Sequence, residues 1–403
     1  MNILLCGHAC CPNSGSEPGL TWNWALQLSL RHRVWVIVYP KHRAAIEGYL
    51  SCSPRPNLTF EYVTLPRYLD PWRPERGEKG LWLHYILWQH AALRAAQRLH
   101  RQVGFDLSHH VSLGTVGVAP LLWKLRIPFF WGPVGGAQVA PRQFRKYFGR
   151  NWLKQIARTF RLRLTSASPQ FRRAVRNCAL ILATNTETKE LLESAGAKSV
   201  KLVADNGVAE EWLAEPLQRQ AARTPMILHW CGRLVPLKGL PLAIEALAAA
   251  GDVDVQLEVS GAGPELVKCV KLASRLGVAN KVNFLGFLTH DAVQDHLRRA
   301  DALLVTSLRD SFGTVALEAA AQGLPIITLD HHGLGALLPS DAGWKVPVTN
   351  PRATVAALAD AIREVVRNPK ARLERSAAAL QFARSNTWDK RARQMEAWYE
   401  QYR

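Results

Sequence analysis

Residues 300–328, ADALLVTSLRDSFGTVALEAAAQGLPIIT, constrain the fold more than any other stretch of this chain. The apolar run 302–305 ends in Thr306 and Ser307, as a buried parallel strand would. A loop holding Asp310, Ser311 and Gly313 leads into an alanine-rich helix predicted over 314–321. Gly323 and Pro325 stop that helix, and 325–328 begins another strand. The unit is strand, loop, helix, strand, and it carries two acids eight positions apart. Glu318 sits among Val315, Ala316, Leu317, Ala319, Ala320 and Ala321, on a helix apolar nearly all round and therefore buried. A buried carboxylate is costly without partners, and no basic residue lies at helical spacing from it. Either Asp310 caps the helix while Glu318 reaches solvent, or a hydroxyl-rich ligand rests on the helix N-terminus, held by both acids. The second reading gives both acids a partner.

The same alternation runs through both halves of the chain, the pattern of parallel sheets wrapped by helices. In the first half, strands are predicted at 1–7, 34–39, 105–111, 127–131 and 179–185, with a helix at 20–30. In the second, they fall at 226–230, 255–260 and 282–286. A length of 403 residues suits two domains, and polar residues 209–225 read as the linker. Residues 54–90, rich in Pro, Arg and Trp, read as an irregular connection leading into a helix, of the kind that often covers an acceptor site. The last segment, 385–403, reads as a docked helix, with Trp388, Met395, Trp398 and Tyr399 on one face.

No apolar run reaches the roughly 18 residues of a membrane span, and 1–5 is too short for a signal peptide's apolar region, which implies a cytoplasmic location. Seven cysteines, an odd number scattered through predicted elements, imply reduced thiols. Cys6, His8, Cys10 and Cys11 lie close together, but with no second ligand cluster they read as a strand end running into a loop rather than a metal site.

The formal charge of +19 is concentrated. Residues 107–186 contain no acid, and 141–176 holds eleven bases, nine of them Arg. Over 151–164, Leu153, Ile156, Phe160 and Leu164 fall at helical spacing with Lys154, Arg158 and Arg161 interleaved. That pattern suits a helix on an anionic bilayer. An ordinary solvated face ranks second. A nucleic-acid patch ranks last, because no nucleic-acid motif accompanies the charge.

Several strand-to-helix turns carry the candidate chemistry. The loop 8–19 (HACCPNSGSEPG) could bring backbone N–H groups to a phosphate or a sugar, although it is neither GxGxxG nor GxxxxGK[ST]. His109 and His110 end a strand and point to opposite faces, so one at most faces a given cleft. Either could serve as a general acid or base or simply be hydrogen-bonded. Gly132–Gly136 permits close backbone approach. Arg233 and Lys238 flank a turn between a strand and a helix, on the sheet edge where open α/β sheets bind ligands. Cations gain nothing from a helix N-terminus, so two of them there imply an anion between them and the helix, the alternative being an ordinary surface pair of charges.

These motifs, GRLVPLKG at 232–239, SGAGPE at 260–265, VNFLGF at 282–287 and DSFGTVALEAAAQGLP at 310–325, resemble the donor half of glycosyltransferase family 4. GSEPGLTWNWA at 15–25 and WGPVGGAQ at 131–138 resemble a subgroup of it. The resemblance covers nearly the whole chain. It implies a GT-B fold: two Rossmann-like α/β domains facing a cleft. Residues 1–205 would form the acceptor-side domain, 206–385 the nucleotide-sugar domain, and 386–403 a helix docking back on the first.

It also implies roles. Arg233 and Lys238, with Gly232, would hold the donor diphosphate and stabilise the leaving group. Glu318 would accept from the ribose hydroxyls. Asp310 would lie near the transferred sugar, with the backbone of Ser311, Phe312, Gly313 and Thr314 alongside. Phe287 and Leu288 would meet the base, Gly15 and Ser16 the diphosphate, and His110 (or His109) the anomeric carbon. Asp310 replaces the family's usual Glu, and Ser16 stands where many members have Gly.

The implied reaction is retaining sugar transfer from a nucleotide sugar, UDP- or GDP-linked, to a polysaccharide, glycolipid or other glycan or lipid-linked acceptor, at the inner membrane surface. It implies no cofactor and no metal, since cations stabilise the departing diphosphate and no Asp-x-Asp is found at a suitable strand end. The competing readings are a nucleotide-sugar epimerase or phosphorylase of the same fold, and a non-catalytic basic scaffold on membranes. Intact Arg233, Lys238 and Glu318 argue against the last.

Overall fold

The computed structural model describes all residues except 13, 74–76, 78, 215–223 and 252. The chain forms two compact units: residues 1–137, 160–206 and 388–403 make the first, and 138–159 with 207–387 the second.

The first unit is built on seven strands: β1 (Asn2–Gly7), β2 (Arg33–Val38), β3 (Leu58–Tyr62), β4 (Leu107–Ser112), β5 (Phe129–Val134), β6 (Leu180–Ala183) and β7 (Val200–Leu202). Their order is β3-β2-β1-β4-β5-β6-β7, every pair parallel. Period-2 alternation sends Ile3 and Leu5 into one apolar layer and Leu4 and Cys6 into the other, so helices cover both faces. The order reverses between β1 and β4, which sets a topological switch point there.

Helix Trp388–Tyr402 completes this unit. Trp388 meets Trp24 of helix Ser16–Ser29 edge-on, with ring centroids 5.9 Å apart. The Tyr399 hydroxyl lies 2.6 Å from His109 Nδ1, and buried Arg391 donates to the Ala204 carbonyl at 2.5 Å. This terminal helix is therefore docked through its aromatic face.

The second unit has six parallel strands: β8 (Met226–Cys231), β9 (Val255–Ser260), β10 (Val282–Gly286), β11 (Ala302–Val305), β12 (Ile326–Leu329) and β13 (Gly343–Val346). Their order is β10-β9-β8-β11-β12-β13, with the switch point between β8 and β11. Helices Pro351–Arg367 and Pro369–Arg384 each start on an asparagine followed by proline. The Asn350 and Asn368 side chains cap them, each accepting a backbone N–H at 3.0 Å.

A single cut at 205/206 does not describe the division. Residues 138–159 pack with the second unit because Phe144, Tyr147 and Phe148 bury in its core, and the Tyr147 hydroxyl donates to Glu245 at 2.5 Å. Of the linker read over 209–225, residues 215–223 lie outside the described residues. The part before them is ordered, with Val208 donating to the Asn386 carbonyl and a single 3₁₀ turn at Glu210–Trp212.

Candidate active site

The two loops at the second unit's switch point are laced together. After β8, residues 232–239 end in the 3₁₀ turn Pro236–Lys238 and in Gly239, whose φ is +66°. A Cβ at Gly239 would stand 2.1 Å from the Thr306 carbonyl oxygen, so only glycine lets the two loops meet. Thr306, at the end of β11, donates its hydroxyl to the Gly239 carbonyl at 2.9 Å and accepts from the Trp230 indole at 3.1 Å. Leu308 and Arg309 both donate backbone N–H groups to the Leu237 carbonyl. Gly261 closes the other side, where a Cβ would lie 1.9 Å from the Gly232 carbonyl oxygen.

This lacing puts the Lys238 ammonium against Asp310 Oδ2, as a close ion pair. Ser307 donates its hydroxyl to the same oxygen at 3.3 Å, and the Ser311 N–H donates to Oδ1 at 3.0 Å. Burial alone would raise the Asp310 carboxyl, but the Lys238 charge and these donors hold it below the ordinary aspartate value. Arg233 is exposed and makes no ion pair among the described residues. The crevice thus holds one cation engaged by an acid and one cation in solvent.

Asp310 begins the loop into helix Thr314–Ala321, through Gly313 at φ +95°. The Ser311 hydroxyl accepts from the Gln138 side chain at 3.2 Å. Phe312 is 1% exposed, so its ring belongs to the core and only its backbone can meet a ligand. Glu318 is 8% exposed, and its partner comes from outside its own helix: His290 Nε2, at 3.2 Å from Oε1. His290 opens helix His290–Arg299, with its ring 4.7 Å from that of Trp212. The hydrogen bond to Glu318 raises the His290 pKa above its ordinary value, against burial, which lowers it. Phe287 is 80% exposed beyond β10 and Leu288 is half-buried.

In the first unit, Gly15 is the exposed N-cap of helix Ser16–Ser29, with open space around it. Glu17, in the first turn, accepts the Gly114 N–H at 2.6 Å and so ties the loop after β1 to the loop after β4. Both strand-end histidines are buried. His109 is held by Tyr399 and by the Gly132 carbonyl at 2.7 Å, and burial lowers its pKa to about 4. His110 Nε2 lies 2.8 Å from the Tyr85 hydroxyl, which also accepts the Leu113 N–H. Burial, with His109 adjacent, lowers its pKa to about 3. Its Nδ1 has no hydrogen-bond partner among the described residues and is the one atom it could offer a ligand. A His8–His84–Asp70 chain, with contacts of 3.0 and 2.7 Å, lies beside it among Tyr39, Trp72 and Trp88. His8 engages this chain, and the neighbouring cysteines are free thiols.

Neither the His290–Glu318 contact nor the His8–His84–Asp70 chain is visible in local spacing, since the partners lie 28, 76 and 14 positions apart. The signal that could have found the first was already present: a buried acid with no neighbour at helical spacing requires a partner from elsewhere.

Helix Asn151–Ala167 buries none of its side chains. Leu153, Ile156, Phe160 and Leu164 are 71%, 52%, 61% and 59% exposed. Lys154 and Arg161 are exposed, with Arg161 over the Trp82 ring at 5.5 Å. Arg158 is half-buried and donates to the Gln138 carbonyl at 3.0 Å, so one of the three bases expected to face a membrane is engaged within the chain. No helix among the described residues is long and apolar enough to cross a membrane.

Residues 216–382 match the family described as glycosyl transferases group 1. Glycogen synthase of Mycobacterium tuberculosis is 34% identical over 209 residues, covering 50% of this chain and 49% of that protein. The chain spans about half the length of the curated relatives it matches. Over whole chains, the sucrose-phosphate synthase of Thermosynechococcus elongatus superposes with a TM-score of 0.67 at 17% identity, covering 99% of this chain and 98% of that one. Anabaena HepE in complex with UDP-glucose gives 0.60 at 16% identity, covering 98% and 99%. The fold is that of the GT-B glycosyltransferases, with two parallel-sheet Rossmann-like units.

Proposed function

We propose that this protein is a retaining, metal-independent glycosyltransferase that takes a nucleotide-diphosphate sugar as donor and acts on a glycan or lipid-linked acceptor at an anionic membrane surface. The observation that carries the reading is the crevice between β8 and β11, with its Lys238–Asp310 pair, exposed Arg233 and buried Glu318. A diphosphate entering there draws the Lys238 ammonium from Asp310 and meets Arg233 as well. Both charges are in place before the glycosidic bond breaks, so the departing diphosphate is stabilised as its charge grows. Asp310, released from Lys238, accepts from a sugar hydroxyl. Glu318 accepts from the ribose hydroxyls, and the exposed segment at Phe287 and Leu288 meets the base. The two acids act as hydroxyl grips rather than as general acid and base. Attack comes from the face the leaving group departs, with a phosphate oxygen taking the acceptor's proton, so no enzymic nucleophile is named.

The membrane part of the reading is supported by helix Asn151–Ala167, whose exposed apolar side chains alternate with Lys154 and Arg161. Such a row is unusual on a surface that faces only water.

A thermal-shift screen against UDP, GDP, ADP and their sugars tests the donor, with UDP-glucose first because HepE was solved with it. Stabilisation by one nucleotide series and transfer of labelled sugar to an acceptor are expected. Conversion of labelled donor without acceptor would mark an epimerase instead. Sedimentation with anionic liposomes tests the surface: binding should fall with salt and with Lys154→Glu and Arg161→Glu. Indifference to both would remove the membrane from the reading.

A further inference from the structure

Behind the crevice, three side chains that the transfer chemistry does not use converge on one point: His229 of β8, Glu258 of β9 and His296 of helix His290–Arg299. His229 and Glu258 are direct partners in the β8/β9 register, so their side chains leave the same face of the sheet. His296 reaches down from the helix above. Its Nδ1 lies 2.7 Å from Glu258 Oε2, and His229 Nδ1 lies 3.8 Å from that same oxygen. The imidazole rings of His229 and His296 lie nearly parallel, 5.7 Å apart. Among the described residues this is the one group of three or more His, Cys, Asp or Glu that can converge on a metal, with one ligand atom from each inside 4.8 Å of the others.

The anomaly is His229. It is fully buried, its Nε2 pairs with the Ser260 hydroxyl at 3.0 Å, and its Nδ1 has no hydrogen-bond partner among the described residues. If Nε2 carries the proton and donates to Ser260, the Nδ1 lone pair faces a carboxylate oxygen across 3.8 Å. Two lone pairs aimed at one gap call for a cation in it. If Nδ1 carries the proton instead, its donor stops short of hydrogen-bonding distance and stays unsatisfied in the core. The first arrangement is that of a metal-binding histidine, with its second nitrogen fixed by a neighbouring polar group.

We propose that His229 Nδ1, Glu258 Oε2 and His296 Nδ1 bind one transition-metal dication of the zinc class, with water completing the shell. Two imidazoles and one carboxylate suit zinc, nickel or copper better than magnesium or calcium. With metal–ligand bonds of about 2.0–2.2 Å, tetrahedral neighbours stand roughly 3.3–3.5 Å apart. The His229–Glu258 gap is close to that already, and the His296–Glu258 contact has only to open by a side-chain rotation. Glu258 and His296 are each partly exposed, which gives the ion a way in from solvent. The ion would clip helix His290–Arg299 to the sheet. It takes no part in sugar transfer.

The untagged protein, stripped with chelator and dialysed, is titrated with Co²⁺ and then with Zn²⁺. One equivalent of Co²⁺ with visible ligand-field bands, no thiolate charge-transfer band, displacement by Zn²⁺ and a raised melting temperature are expected. His296→Ala and Glu258→Gln, at partly exposed positions that should leave the fold intact by circular dichroism, should each weaken binding by about ten-fold or more. Three results would overturn the site: no saturable binding to the wild type, as for a plain His296–Glu258 ion pair; a thiolate band, placing the metal on a cysteine; or folded variants that bind as the wild type does.

Discussion

The two switch points share a topology and differ in what lines them. Between β1 and β4 the crevice is lined by buried histidines with depressed pKa values, stacked aromatics and the Tyr85 hydroxyl. Between β8 and β11 it is lined by a Lys–Asp pair, a solvent-exposed arginine and a buried glutamate. A parallel sheet therefore supplies a place for a ligand but not its chemistry. Neutral, buried groups suit hydroxyl-bearing, uncharged ligands. Displaceable cations suit a diphosphate.

That contrast can be broken most forcefully at Lys238. Lys238→Ala should cut donor turnover by roughly 10²–10³-fold with circular dichroism unchanged. Activity near that of the wild type would mean that the second crevice does not stabilise an anion. Glu318→Gln should weaken nucleotide binding by about ten-fold, the loss of one charge-assisted hydrogen bond; an unchanged calorimetric affinity would take the ribose contact away from Glu318. In the first unit, Tyr85→Phe strands the Leu113 N–H and His110 Nε2, and should lower stability by about 1–3 kcal/mol in denaturant titration. A neutral result would mean that water reaches this crevice and satisfies both groups.

The smallest effect concerns His290. Its folded-state pKa is raised, chiefly by Glu318, so its contribution to stability is complete below its ordinary value of 6.5 and fades as pH rises through the raised value. In the nucleotide-free protein, His290→Asn should lower the melting temperature more at pH 6 than at pH 8. The difference should stay under about 1 kcal/mol, because the imidazole is more than a third exposed and solvent screens it. An equal cost at both pH values would show that the ring contributes through Trp212 packing and not through charge.

The second crevice was the more legible of the two in the sequence. Glycine and proline punctuate its loops, so β10, β11 and helix Thr314–Ala321 fall at the residues expected. The helix carrying the apolar, basic row was equally plain, from its spacing. Short edge strands such as β7 and β13 carry too few residues to show a period. The Asn-Pro pairs at 350–351 and 368–369 mark the starts of two helices, the second of which shows almost no hydrophobic period. The acids at 310 and 318 were recognisable as a pair in need of a ligand, but their protein partners were not. Lys238, His290 and the His229–Glu258–His296 group are brought together by strand register and helix packing across dozens of residues, which no local window contains.

The bond between Tyr399 and His109 has a consequence for the order in which the chain can fold. The central sheet of the first unit is synthesised early, yet the helix that covers Trp24 and satisfies His109 follows all of residues 207–387. Domain-by-domain folding from the N-terminus cannot finish the first unit before residues 388–403 are made. Until residues 388–403 emerge, an aromatic seam and a buried imidazole stay uncovered, and the second unit folds meanwhile. A nascent chain stalled before residue 388 is the species in which a chaperone would find the most to hold.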